Sequence, residues 1–469
     1  MKADKKLKKS YICPTKTDCT PIENVFINNN KNKIHHIHFV GIGGVSVSSL
    51  AIFALKNGFV VTGSDSHQSD IVKSLKQMGI KVFLHHSKEN ILGANLVVYS
   101  SACEHCIEVE FAKMQGIAVM SRAQFLAQVL NLYKTTICVA GAHGKTTTTA
   151  LIFEILKTAG KLPSLHLGGN LVDSHLSYNY NSGDTMVCEA CEYKDSFLQF
   201  YPSIGVVLNI ACEHLDYFKS LKNVKKSFST FAKQSKSLVC FADCKIEHKN
   251  KITFDFSNAN FTASNIKMLK SGKYSFDCYY NGELYLQIKL NLIGKHNILN
   301  ALASIAVCHI LGIEKKHIKM GLANFCGVER RFQFLNKKKF IVHDYAHHPD
   351  EIASSISETR QFYKKNLLIV FQPHTYSRTK TLLSQFVNVF KGQKEVLVLP
   401  TYSAREKYDA QGSAFTLSKK IGCNAIYIRG KAVATNYILN KIKDGYGVLF
   451  LGAGDIFDLA KNIAKMCWQ

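Results

Sequence analysis

Long apolar runs are missing from this 469-residue chain. No stretch of about 18 apolar residues occurs, so no transmembrane helix is expected. The start does not supply the apolar core of a signal peptide either. Residues Met1–Ser10 are lysine-rich, and Tyr11–Thr20 is polar and interrupted by proline. The chain is therefore expected in the cytoplasm. Arginine is scarce, with seven among 59 basic residues. The formal charge of +25 comes mostly from lysines spread over the whole length, without the clusters and interleaved aromatics of a nucleic-acid surface. Solvated lysine faces, with some attraction for phosphate-bearing substrates, account for it better. Neither nucleic acid nor membrane is an expected partner. Zinc-ribbon spacing is absent as well. The 15 cysteines include two CxxC pairs, Cys103/Cys106 and Cys188/Cys191, set much further apart than the roughly 15–20 residues a ribbon uses. Reduced, mostly buried thiols are expected.

The length suits two to four domains. Apolar residues at 46% and charged residues at 20% describe an ordinary globular enzyme. Residues 1–33 carry no sustained period and are expected to be a flexible extension. From Ile34 the pattern runs strand, glycine-rich turn, helix, strand, which predicts a Rossmann-like α/β unit over 34–133. A second unit, 134–334, opens on the strand TTICVA and the helix TTTTALIFEILKTAG. Within it, 252–292 alternates like β-structure and predicts a small inserted sheet ahead of a helix over Asn297–Ile310. A third Rossmann-like unit, 335–469, carries the strands FIVHDYA, LLIVFQP, EVLVLP, AIYI and VLFLGAG. The expected fold is thus α/β in three domains, the central one resembling a P-loop ATPase with a mixed sheet.

The sharpest local signal is Gly141-Ala142-His143-Gly144-Lys145-Thr146-Thr147, lying between a buried strand and a helix. Glycines let backbone N–H groups close on phosphates, and the helix N-terminus adds partial positive charge. Lys145 can reach the outer phosphates, and Thr146 offers a hydroxyl for Mg²⁺. The general motif wants glycine at position 139, where this chain has Val139; the mechanics survive that departure. At the front, Gly41-Ile42-Gly43-Gly44 follows a strand, with Asp65 at the end of the next. Read alone it is a weak dinucleotide fingerprint, a turn able to take a diphosphate on a helix N-terminus.

Eight stretches in one order carry a resemblance to the Mur ligase family. They are GAHGKTTT (Gly141–Thr148), VCEACEYKDSFL, NIACEH (Asn209–His214), GKHNILNALAS, GVERRF, HDYAHHPDEI, FQPHTYSRTK and YSAREK. The match spans roughly residues 34–460. The front GIGG together with DYAHHP and QPHTYSRT resembles the alanine-adding members.

That resemblance implies an ATP- and Mg²⁺-dependent ligase acting on UDP-N-acetylmuramate and L-alanine, as a monomer or homodimer. It implies metal ligation by Thr146, Glu189 (in preference to Glu192) and His214. By itself His214 reads as a structural histidine at a strand end. The family has Asp before this histidine, where Glu213 stands here. The resemblance also implies that His296, Asn297 and Asn300 hold the adenine; from spacing alone the first two are merely a helix N-cap region. Arg331 is implied to reach the phosphates, with Asp344 beside the nucleotide. His347 and Arg378 are implied to border alanine and the transferred phosphate. Some relatives carry a second arginine where this chain has Thr375, so Arg378 would act without it. Gly41, Gly43 and Gly44 are implied to hold the UDP diphosphate, with Asp65, Ser101 and Arg122 toward the uridine and sugar.

Three rivals stay in view: a ligase recycling a ready-made tripeptide, an NAD-dependent oxidoreductase built on GIGG, and a basic nucleic-acid-binding ATPase. The second leaves the phosphate loop, Glu189 and the HDYAHHP segment unexplained.

Overall fold

The computed structural model describes residues 34–211, 214–404 and 406–468. The expected extension over 1–33 and Glu213 lie outside the described residues. The chain divides into two compact units, the first ending at Tyr133 and the second starting at Lys134. Among the described residues no helix is long and apolar enough to cross a membrane.

The first unit is built on five parallel strands. Their order across the sheet is Lys81–Phe83, Val60–Ser64, His36–Val40, Leu96–Tyr99, Ala118–Ser121. The order reverses around His36–Val40. The glycine turn therefore leaves this strand at the carboxyl edge of the sheet, where open α/β sheets form their binding crevice.

The second unit contains two sheets. The larger has ten strands, and its centre is the parallel set Ile204–Val207, Thr135–Ala140, Thr185–Glu189 and Ser164–His166. The alternating stretch after residue 252 is not a separate inserted sheet. Lys251–Phe254 and Phe261–Met268 continue the parallel ladder, and Lys273–Tyr280 and Glu283–Ile293 extend it antiparallel. Parallel edge strands leave unpaired N–H and C=O groups that a following hairpin satisfies. Helices Lys145–Thr158, His296–Ile310 and Lys315–Asn324 share one hydrophobic cluster with Val139, Val187, Val206 and Phe254. A Cβ on Gly321 would stand 2.7 Å from Ile155 Cα, so glycine is what lets the third helix approach the first so closely.

The smaller sheet runs Gln333–Asn336, Ile341–Asp344, Gly447–Leu451, Leu367–Phe371, Val396–Val398, Ala425–Tyr427. Its first strand is antiparallel and the rest are parallel. Successive residues enter opposite cores: Leu367, Ile369 and Phe371 join one cluster, Leu368 and Val370 the other. Period-2 alternation with both faces covered explains why these strands read as unbroken apolar runs. The edge strand Gln333–Asn336 was not foreseen, since its polar ends hide it.

Candidate active site

The phosphate loop leaves strand Thr135–Ala140 and enters helix Lys145–Thr158 through Gly144, at φ 86°. A side chain there would be strained, and its Cβ would stand 2.5 Å from Asn300 Oδ1. Val139, the residue that departs from the general motif, is fully buried in the strand. The next strand's end secures the loop. Asn209 accepts from the His143 N–H at 2.9 Å and donates its amide to the His143 carbonyl at 2.9 Å.

Lys145 folds back over its own loop, donating to the Gly141 and Ala142 carbonyls and to both Glu192 oxygens, at 3.1 and 3.0 Å. The His214 ring nitrogen lies 3.7 Å from the same carboxylate, its ring 4.8 Å from that of Tyr193. Glu192, set aside in the sequence, therefore joins Lys145 to His214. Glu189 ends its strand opposite Val139 and accepts from the Gly168 N–H at 2.9 Å. A Cβ on Gly168 would stand 3.1 Å from Glu189 Oε2, and one on Gly169 would stand 3.6 Å from Thr146 Cγ2. The Gly168–Gly169 turn thus runs between the Glu189 carboxylate and Thr146. Lys145, Thr146, Glu189 and, through Glu192, His214 gather around the phosphate loop.

His296, Asn297 and Asn300 do open a helix, with Asn300 against Gly144 of the phosphate loop, and each makes a hydrogen bond within the protein. The His296 ring pairs with Glu358 at 2.9 Å, Asn297 donates to the Ile293 carbonyl, and Asn300 donates to Asn297 Oδ1.

The smaller sheet brings its residues from the strand ends. Glu351, in the first turn of helix Pro349–Phe362, accepts from the His347 and His348 N–H groups through one oxygen. Its other oxygen lies 3.1 Å from His143 Nδ1. Burial opposes charge on Glu351, yet the bond to His143 and the charges of His347 and Arg331 hold its carboxyl well below the usual range. It ties the phosphate loop to the histidine pair. The signal for it was the proline and glutamate of a helix start. Burial pushes His347 down to about 4, with Arg378 adding to the effect, and His374 also sits at about 4 for the same two reasons. Arg378 Nη1 lies 3.2 Å from His374 Nδ1, and the His374 ring stacks on Tyr402. Asp344 accepts from Ser355 at 2.9 Å, and burial raises its carboxyl. The Arg331 guanidinium covers the Tyr345 ring at 4.7 Å. Its neighbour Arg330 lies over the same ring at 5.0 Å and donates to the Ala453 and Gly454 carbonyls at 2.8 and 2.6 Å. The turn Gly452–Gly454 is therefore a landing point for a guanidinium.

In the first unit, Gly41 turns at φ 77° and Gly44 caps helix Val45–Lys56. Asp65 accepts from the Gly43 N–H at 3.0 Å, and Arg122 donates to Ser46 at 3.1 Å. Ser101 is exposed beyond strand Leu96–Tyr99. Asp65 and Arg122 thus bracket the glycine turn.

Comparison with known proteins agrees with this architecture. A UDP-N-acetylmuramate–L-alanine ligase from Clostridium acetobutylicum is 39% identical over 441 residues, covering 91% of this chain and 96% of that protein. One from Acetivibrio thermocellus is 39% identical over 452 residues, covering 92% and 96%. Among solved structures, a UDP-N-acetylmuramate-alanine ligase from Thermotoga maritima superposes with a TM-score of 0.80 at 28% identity, covering 92% of this chain and 99% of that one. A murein peptide ligase from Psychrobacter arcticus has a TM-score of 0.68 at 20% identity, covering 92% and 98%, a likeness of fold alone. Residues 36–134 match the model of the Mur ligase family catalytic domain, 139–308 that of the Mur ligase middle domain, and 330–454 that of the Mur ligase glutamate ligase domain. The chain belongs to the Mur ligase family.

Proposed function

We propose that this chain is an ATP-dependent ligase that joins L-alanine to the lactyl carboxylate of UDP-N-acetylmuramate, a step in peptidoglycan precursor synthesis. The observation that carries the reading is the gathering of Lys145, Thr146, Glu189 and His214 around the phosphate loop. A carboxylate repels an amine and has no leaving group. Phosphoryl transfer from ATP makes it an acyl phosphate, whose carbonyl the alanine amine can attack with loss of phosphate. Such chemistry asks for cations around the phosphates and for positioning, more than for a nucleophilic side chain.

The glycine-rich turn at Gly144 and the amino end of helix Lys145–Thr158 cradle phosphate, and Lys145 leaves Glu192 to meet the γ-phosphoryl oxygens. The Thr146 hydroxyl and the Glu189 carboxylate are oxygen donors of the kind Mg²⁺ takes, and the His214 nitrogen can join a second site. Mg²⁺ held by these residues would neutralise phosphate charge. Arg331, with Asp344 behind it, faces the same phosphates. His347, neutral at pH 7, and Arg378 border the incoming alanine, whose carboxylate a guanidinium can grip bidentately. Asn300, packed against the loop glycine, lies with His296 and Asn297 on the adenine side. Gly41, Gly43 and Gly44 take the UDP diphosphate, with Asp65, Ser101 and Arg122 toward uridine and sugar.

Phosphate release with UDP-N-acetylmuramate should be stimulated by L-alanine and much less by serine, glycine or a tripeptide. Stimulation by the tripeptide and not by L-alanine would assign the chain to peptide recycling instead.

A further inference from the structure

Cys103 and Cys106 occupy the turn that follows strand Leu96–Tyr99. Their backbones are linked from the Cys106 N–H to the Cys103 carbonyl at 3.0 Å, and Cys106 begins helix Ile107–Met114. The sequence set this pair aside for want of a second CxxC at ribbon spacing. Folding supplies the missing ligand from another element. The ligand atoms of His86, Cys103 and Cys106 all lie within 4.8 Å of one another.

We infer that His86, Cys103 and Cys106 form a binding site for a zinc-class divalent cation in the first unit. Two thiolates and an imidazole are the ligand types such an ion prefers, and they leave one tetrahedral position for an exchangeable ligand. Tetrahedral bonds of about 2.3 Å put two sulfurs about 3.8 Å apart, so the set closes with side-chain movement of about 1 Å at most. The histidine is already oriented. Its Nδ1 lies 2.6 Å from Glu108 Oε2, and that fully buried carboxylate also accepts from Asn90 at 2.8 Å. A carboxylate on one imidazole nitrogen leaves the other, Nε2, to the metal, the usual arrangement behind metal-bound histidines. Cys103 is buried, whereas His86 and Cys106 are half-buried. The site therefore has a dry floor and an open side for entry. Binding would release the two thiol protons and form two metal–sulfur bonds with no change of oxidation state.

Position gives the site a consequence. A Cβ on Gly41 would stand 3.0 Å from Cys103 Sγ. An ion on Cys103 would therefore brace the glycine turn from behind without entering it.

The test uses the full-length chain, reduced and freed of metal by a chelator, then titrated with Co²⁺. The expected result is one equivalent bound, with the thiolate charge-transfer and visible bands of tetrahedral cobalt, bleached by one equivalent of Zn²⁺. Cys103→Ser combined with Cys106→Ser should abolish the bands, and His86→Ala should weaken binding at least tenfold. Absent bands in the unaltered chain, or bands that persist in the double variant, would overturn the inference. So would a Cys103–Cys106 disulfide that survives reductant, seen as a peptide lighter by two hydrogens.

Discussion

The Lys145 ammonium lies 3.0 Å from a Glu192 carboxylate oxygen, and only 3% of that acid's side chain reaches solvent. The pair is enclosed and completed by loop carbonyls, so removing either partner strands a charge in a poorly solvated place. Denaturant unfolding of Lys145→Met, Glu192→Gln and the double variant should give a coupling energy of about 1–3 kcal/mol. A coupling near zero would mean that the two charges are in effect solvated. Lys145→Met should also abolish ligation while UDP-sugar binding persists.

Glu189 ends its strand beside the Gly168–Gly169 turn, with Thr146 on the turn's other side. If its carboxylate holds Mg²⁺, Glu189→Gln loses a charged oxygen donor while keeping the shape. The Mg²⁺ concentration for half-maximal activity should then rise by about tenfold or more. An unchanged titration curve excludes the role.

With Thr375 where some relatives have an arginine, Arg378 is expected to meet the alanine carboxylate without that second guanidinium. Lysine keeps the charge and loses the fork. Steady-state kinetics of Arg378→Lys should show KM for L-alanine raised about tenfold, with a smaller change in kcat. An unaltered KM refutes the clamp.

Acid should weaken the fold through His347. Burial lowers its folded pKa to about 4 from an ordinary 6.5, so the unfolded chain binds the proton more readily. The stability this confers is complete above pH 6.5 and is lost as pH falls toward 4. With 22% of the side chain exposed, the loss is at most about 3 kcal/mol. Glu351 acts in the same sense at lower pH, because its depressed carboxyl favours the fold only while ionised. Urea unfolding at pH 7.5, 5.5 and 4.5 should show the decline, and His347→Asn should flatten its upper part. Equal stability at pH 7.5 and 5.5 in the unaltered chain would contradict it.

The phosphate loop, the glycine turn and the core strands were legible because each is a local matter. A buried parallel strand needs an apolar run, and a phosphate turn needs glycine at set places. Partnerships across distant segments were not legible. Nothing near Glu192 in the chain announces Lys145, 47 positions away, and Glu351 meets His143 only because two sheets of one unit abut. The hairpin strands after residue 252 were recognised as β-structure, yet their attachment to the central sheet depends on which edge lies open. His86 gave no metal signal in a sequence where its two sulfur partners lie on a different element.

Strand Gly447–Leu451 stands between Ile341–Asp344 and Leu367–Phe371, and Arg330 reaches the turn just beyond it. The middle of this sheet is thus made 76 residues after the end of one flank (371 to 447) and 103 after the end of the other (344 to 447). During synthesis the flanking strands must wait with their inner edges unsatisfied, exposed to mispairing with each other or with neighbouring nascent chains. Ribosome-bound chains halted before Tyr446 should be far more open to protease across 330–440 than chains extended past Ile456. The last-made strand is the keystone that closes this half of the enzyme.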